Sequence, residues 1–240
     1  MVFGLLNRGN DLTIYSTHAD EWWVPGAPRF RSLQNLTPFR LELIRAGCGD
    51  VRGKTIYDLG CGGGLLAVPL LEAGADVVGV DQSEASIKAA QRAARGRGRF
   101  MVGDARAVPL PDRSADIVLL ADVIDHVRDY QRALREAARL LKPGGALFVG
   151  TLNRTVRAYL GAILLGEGLR LIPPGTHRFS MFVTPAELLA AGQAAGLSWQ
   201  QTFGEELCIA ATVRRWAITL RRGASVALAY SMVLRSPDDA

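Results

Sequence analysis

Lysine is nearly missing from this chain. Lys54, Lys88 and Lys142 are the only three, so arginine supplies the rest of the 28 basic residues. The formal net charge is +5, yet the arginines are scattered and form no basic block. Nucleic acid is therefore not an expected partner, whereas attraction to an anionic lipid surface remains open. Cysteine is just as sparse. Cys48, Cys61 and Cys208 are far apart and odd in number. No CxxC pair occurs, which excludes a zinc ribbon and a disulfide framework and fits a reducing cytosol. No run of about 20 uncharged apolar residues occurs, so no membrane span is expected. Asn7, Arg8, Asn10 and Asp11 interrupt the start of the chain before a secretory pattern develops, and a cytoplasmic location is expected. Internal repeats and low-complexity segments are also lacking.

What is present is a globular composition. Hydrophobic residues make up 49% and charged residues 21%, which argues against disorder. A length of 240 residues suits one domain spanning 1–240. Short apolar runs at 54–60, 76–81, 99–105, 115–122 and 146–153 read as strands. Between them, 64–74, 83–95 and 130–145 read as helices, the last stopped by Pro143 and Gly144. Strands alternating with helices imply an α/β fold with a doubly wound, mostly parallel sheet. Trp216–Leu220 and Ser225–Val233 read as an antiparallel C-terminal strand pair. Residues 1–50 read as a helical segment, with Pro38 in "LTPFRLELI" at a helix start.

In such sheets ligands bind beyond the carboxyl ends of the strands. The first strand ends in "DLGCGGG", which places Asp58, Gly60, Gly62 and Gly64 at alternate positions. The dinucleotide fingerprint would need its third glycine at Leu65, so that pattern fails. No Gly-Lys-Ser/Thr follows, which disfavours a phosphate-binding loop. Asp81 ends the second strand, placed to accept hydrogen bonds from ribose hydroxyls. Asp104 ends the third, placed near a base. The pattern resembles that of class I methyltransferases, which implies S-adenosylmethionine as the cofactor.

The fourth strand runs into "LLADVIDHVRDY". If the strand passes directly into helix at Asp122, then Asp122, Asp125 and His126 share one helical face. Two carboxylates and one imidazole suit a divalent ion such as Mg²⁺, Mn²⁺ or Zn²⁺. The same residues also suit helix capping, with His126 packed beside the caps.

Two further stretches are more specific. "EWWVPGAPRFRSLQNLTPFRLELI" and "TLNRTVRAYLGAILLGEGLRLIPPGTHRFSMFVTPAEL" resemble segments of the ubiquinone-biosynthesis O-methyltransferases, which methylate polyprenyl catechols. With the glycine turn, the resemblance spans roughly residues 20–190. It implies cofactor contacts at Arg40, Asp58, Gly60, Gly62, Asp81, Gln82, Asp104, Ala105 and Ala121, with Arg40 meeting the methionine carboxylate. It also implies a divalent metal at Asp122, Asp125 and His126, where family members typically carry two glutamates before the histidine. Aspartate is shorter by about 1.5 Å. His126 and His177 are the expected catalytic histidines, and Arg178 stands where the family usually has an acid.

The expected chemistry is methyl transfer to a hydroxyl of a hydrophobic phenolic substrate. The apolar insertion at 154–182 reads as a lid, and 156–172 as a peripheral contact with anionic membrane on its inner face. The family's Tyr-Asn-Pro stretch is missing from the tail. That keeps two alternatives: a phenol methyltransferase of specialised metabolism, or a non-catalytic protein that binds the cofactor.

Overall fold

The computed structural model describes residues 10–239. Five strands form the parallel part of the sheet: β1 (Thr55–Leu59), β2 (Asp76–Asp81), β3 (Arg99–Val102), β4 (Ala115–Ala121) and β5 (Leu141–Leu152). Three more follow: β6 (Ser198–Leu207), β7 (Leu220–Gly223) and β8 (Ala229–Arg235). The order across the sheet is β3-β2-β1-β4-β5-β8-β6-β7. β8 runs antiparallel to both β5 and β6, and β7 antiparallel to β6.

Both sheet faces are covered, which explains the nearly continuous apolar strands. Alternation along each strand sends side chains to opposite faces. Tyr57, Leu59, Val118, Leu120, Leu147 and Val149 join one core, and Ile56, Ile117, Leu119, Ala146 and Phe148 the other. The first core is closed by α5 (Tyr130–Leu140) and α7 (Pro185–Ala194), and the second by α2 (Arg31–Cys48) and α3 (Ala67–Glu72). α4 (Glu84–Ala94) packs against β2 and β3. Each fully buried Leu, Ile or Phe here contributes roughly 1.5–3 kcal/mol.

Local chemistry sets the helix starts. Ser83 accepts from the Ser86 amide at 3.1 Å and opens α4. Asp129, not Asp122 or Asp125, caps α5 by accepting from the Arg132 amide. Thr184 and Glu187 form a capping box at α7, with Pro185 in the first turn.

Three sequence expectations are corrected. α2 begins at Arg31, so Pro38 lies inside the helix rather than at its start. The helix tolerates it because the segment is long and its apolar face is packed. The tail holds α8 (Ile209–Arg215), which ends where Trp216 adopts a left-handed conformation at φ 48°. The two late strands do not pair with each other, because β6 lies between them. β6 carries no strand pattern in the sequence because Gln200, Gln201, Glu205 and Glu206 dilute its apolar alternation.

The insertion leaves β5 as α6 (Val156–Ala158), capped by Thr155, and continues as a π-helical segment, Tyr159–Glu167. No helix among the described residues is long and apolar enough to cross a membrane.

Candidate active site

The strand order reverses between β1 and β4, which opens a crevice at their carboxyl ends. The glycine turn follows β1. Gly60 and Gly62 have φ of 82° and 51°, where a side chain is strained. A Cβ on Gly62 would sit 2.6 Å from the Trp22 ring, and one on Gly63 2.3 Å away. Trp22 stacks on Phe30 with centroids 4.2 Å apart and donates to Ser86 Oγ at 3.0 Å. Trp23 donates to the Gly63 carbonyl at 2.8 Å. The "EWW" stretch thus clamps the glycine turn from the N-terminal side.

Asp81 accepts from the Gly62 amide at 2.9 Å and the Ser83 amide at 2.8 Å. Its carboxylate is fixed at the cavity wall with lone pairs to spare for hydroxyl donors. Gln82, Ala105 and Ala121 line the same cavity. Asp104 does not. The chain bridges Asp104 to Ala107 there, and Arg106 folds back onto the carboxylate at 2.6 Å. That pairing, helped by the Arg106 amide, holds the Asp104 carboxyl below its ordinary value. Gly103 and Ala105 take the lining positions on either side.

Asp58 is buried at the cavity, and its Oδ2 has no hydrogen-bond partner among the described residues. Burial, and then the nearby Asp81 carboxylate, push its pKa up to about 7. An unpartnered buried acceptor beside a glycine turn fits the ammonium of a methionine moiety. The linkage sign follows directly. Between pH 4 and 7 the folded chain keeps a proton that the unfolded chain has released, so stability falls as pH rises through that window. Asp58→Asn is expected to raise the melting temperature at pH 8 and leave it unchanged near pH 3.5. Cofactor affinity should strengthen from pH 6 to 8 in the wild type and stay flat in the variant. Parallel melting curves for the two proteins across this range would refute the assignment.

Arg40 reaches the cavity wall from α2, but its guanidinium is already committed. It holds Asp122 bidentately, Nε to Oδ2 at 3.0 Å and Nη2 to Oδ1 at 2.6 Å, and pairs with Glu205 through Nη1. Glu205 is fully buried and also accepts from Ser231 Oγ at 2.5 Å. Burial works against the Arg40 charge, yet the two carboxylates hold its pKa above the ordinary value. Two N–H groups remain free to donate, but the pair of carboxylates already exceeds the one positive charge. Glu205 carries no sequence signal, since it sits in β6, whose polar residues mask the strand alternation.

Asp122 therefore does not share a helical face with Asp125 and His126. Its φ of 57° reverses the chain before the helical turn Ile124–His126 begins. Its amide donates to the Gly150 carbonyl at 2.8 Å, which prolongs the β4–β5 pairing. The side chain turns to Arg40, while Asp125 and His126 face the insertion.

There they meet His177. One ligand-type atom each from Asp125, His126 and His177 lies within 4.8 Å of the others. The two imidazoles stack with centroids 5.3 Å apart. Burial pushes His126 below its ordinary pKa against the pull of Asp125. Glu167, at the end of the π-helical segment, accepts from the Gly175 amide at 2.6 Å, the His177 amide at 2.9 Å and His177 Nδ1 at 3.1 Å. Glu167 is a charge inside an otherwise apolar run. That oddity was its only sequence signal.

Asp58, Asp81, Asp125, His126 and His177 line one cavity of about 690 Å³, a size suited to a cofactor and part of a substrate. Its polar lining comes from Asp58, Asp81 and Gln82, its apolar lining from Leu152, Ala162 and Ile172 and from Leu207, Ile218 and Leu220.

Comparison with known proteins agrees with this architecture. A methyltransferase-domain family matches residues 57–149. The ubiquinone biosynthesis O-methyltransferase of Bordetella avium is 39% identical over 194 residues, covering 78% of this chain and 79% of that protein. That of Leptothrix cholodnii is 36% identical over 203 residues, covering 82% and 86%. Among solved structures, magnesium protoporphyrin IX methyltransferase from Synechocystis PCC 6803 with bound SAH is 19% identical with a TM-score of 0.65, covering 93% and 96%. A SAM-dependent methyltransferase from Thermotoga maritima is 22% identical with a TM-score of 0.63, covering 97% and 99%. The chain belongs to the ubiquinone-biosynthesis O-methyltransferase family and is an S-adenosylmethionine-dependent O-methyltransferase of the class I fold.

Proposed function

We propose that this enzyme methylates one hydroxyl of a lipophilic, polyprenyl-type catechol in ubiquinone biosynthesis, with help from a divalent metal. One observation carries the reading. A single cavity joins the glycine turn and Asp81 to the Asp125–His126–His177 group and to an apolar wall from the insertion. When bound, the cofactor supplies a methyl on a sulfonium, whose carbon–sulfur electron pair returns to sulfur as the phenolic oxygen bonds the methyl. The protein's task is alignment and a deprotonated oxygen. Phenols titrate near about 10, so the hydroxyl needs assistance at neutral pH. A divalent ion at Asp125 and His126 would supply Lewis acidity that lowers the hydroxyl pKa. Glu167 holds the His177 turn at the cavity wall, where Leu152, Ala162 and Ile172 supply an apolar lining suited to excluding water.

The insertion also favours a membrane-borne substrate. Val156, Leu160, Leu164, Leu165 and Leu169 are exposed, flanked by Arg157 and Arg170. Such a surface suits peripheral docking on the anionic inner face of the cytoplasmic membrane. A second reading, another phenolic substrate, is favoured by Leu207, Ile218 and Leu220, which line the cavity from the tail that departs from the family.

Transfer of labelled methyl from S-adenosylmethionine to a short-chain demethylubiquinol tests the proposal against a panel of unprenylated catechols. The prenylated substrate is expected to have a kcat/KM at least about tenfold higher, given the apolar area it buries. Adding anionic vesicles should pellet the wild type and not Leu164→Glu/Leu165→Glu. Equal turnover of simple catechols would favour the second reading, and equal pelleting would remove the membrane role of the insertion.

A further inference from the structure

We propose that Asp125, His126 and His177 form a site for a divalent transition metal, with His177 from the insertion taking the ligand position that the sequence pattern gives to Asp122. The inference builds on the methyltransferase reading only for the use of the ion, not for its binding.

Asp125 is the first support. It is 2% exposed, and its Oδ1 has no hydrogen-bond partner among the described residues. Leaving a buried acceptor unpaired costs roughly 1–3 kcal/mol, more when it is charged. A cation removes that cost.

The histidines are the second. His126 Nδ1 lies 3.0 Å from Asn10 Oδ1. The Asn10 amide is oriented by its own Nδ2, which donates to the His126 carbonyl at 3.3 Å. The oxygen of Asn10 therefore faces the ring, and Nδ1 carries the proton. His177 Nδ1 donates to Glu167 Oε1 at 3.1 Å. In both rings Nε2 is left with its lone pair. A ligating histidine whose other nitrogen is held by an acceptor is the usual arrangement at protein metal sites. Here the two arise independently, from Asn10 near the N-terminus and Glu167 in the insertion.

Asp122 is the third. Both its oxygens are occupied by Arg40, and withdrawing it would leave Arg40 facing only the buried Glu205. The Asp122 carboxylate thus serves an ion pair. The resulting donor set is two imidazole nitrogens and one carboxylate. It favours Mn²⁺, Fe²⁺ or Zn²⁺ over Mg²⁺, which prefers oxygen and keeps its water. Metal bonds of about 2.1 Å require the three donors to move inward slightly from their present 4.8 Å envelope. That movement draws the His177 turn towards the end of β4, so metal binding tightens the insertion.

The test is a titration of the whole protein with Mn²⁺ alone, followed by the electron paramagnetic resonance signal of free Mn²⁺, with Zn²⁺ and Mg²⁺ as competitors. One Mn²⁺ per chain is expected. Asp125→Asn and His177→Gln should each weaken it at least about tenfold, and Glu167→Gln, which acts by positioning His177, by about tenfold. Asp122→Asn should stay within about threefold. Zn²⁺ should displace Mn²⁺, and equimolar Mg²⁺ should not. Hydrogen exchange across 156–182 should slow on adding Mn²⁺ to the wild type and not to His177→Gln. Thermal midpoint and S-adenosylmethionine binding are measured for each variant. The His177→Gln result decides alone should Asp122→Asn fail to fold. Full Mn²⁺ affinity in His177→Gln overturns the proposal, as does no Mn²⁺ binding by a wild type that still binds S-adenosylmethionine. Loss of S-adenosylmethionine binding by the wild type would instead strike the methyltransferase reading.

Discussion

Arg40→Ala is expected to destabilise the folded chain by about 3–5 kcal/mol, because it leaves carboxylates without their cation. Glu205 is fully buried and its Oε2 has no partner among the described residues even with Arg40 in place. Asp122 would lose both of its bonds to the guanidinium. For a chain of this size the melting temperature should fall by roughly 10 °C. Arg40→Lys should recover only part of the loss, since one ammonium cannot reproduce a bidentate fork and a third bond at once. Arg40→Met combined with Glu205→Gln should be more stable than Arg40→Ala, because the buried charge goes with its partner. Calorimetry on the three variants checks the order. Equal melting of Arg40→Ala and wild type would show that the network adds nothing to stability.

Asp125→Ala is expected to lower kcat on the order of 10²–10⁴-fold while leaving S-adenosylmethionine affinity within about twofold. The separation follows from placement. Asp125 follows β4 and faces His126 and His177, whereas Asp58 and Asp81 lie at the carboxyl ends of β1 and β2 and the glycine turn follows β1. Removing a carboxylate from the first group leaves the hydrogen bonds of the second intact. Single-turnover transfer and equilibrium cofactor binding on one preparation separate the two quantities. A parallel loss of both would place Asp125 in the cofactor site instead.

The first variant acts through Asp122 and the second on Asp125, three positions later in the same loop, yet the expected outcomes differ. Asp122 and Asp125 look equivalent as text. The left-handed backbone at Asp122 makes them different, sending one carboxylate to Arg40 and the other to the histidines. No periodicity carries that information, because φ at one non-glycine residue is set by what packs around it.

Much of the fold was legible in the chain. β1, β2, β4 and the helices after β2 and β4 are short, strongly patterned and bounded by local caps and glycines, so neighbouring residues define them. The glycine turn with Asp58 and Asp81 could be placed in the same way, since strand ends and turns are local events. β6 could not, because its polar side chains hide the alternation and its identity depends on β8 and β7 beside it.

Residue order was thus enough for the parallel sheet, the crevice and the glycine turn, whose determinants lie within a few residues of one another. Tertiary structure decided the partners of the charged side chains. Arg40 meets Asp122 and Glu205 across separations of 82 and 165 residues. His126 meets Asn10 across 116, and Glu167 fixes His177 from the far end of a π-helical segment. Such pairings are selected by the desolvation of buried charge, which requires a partner wherever the fold brings one within reach.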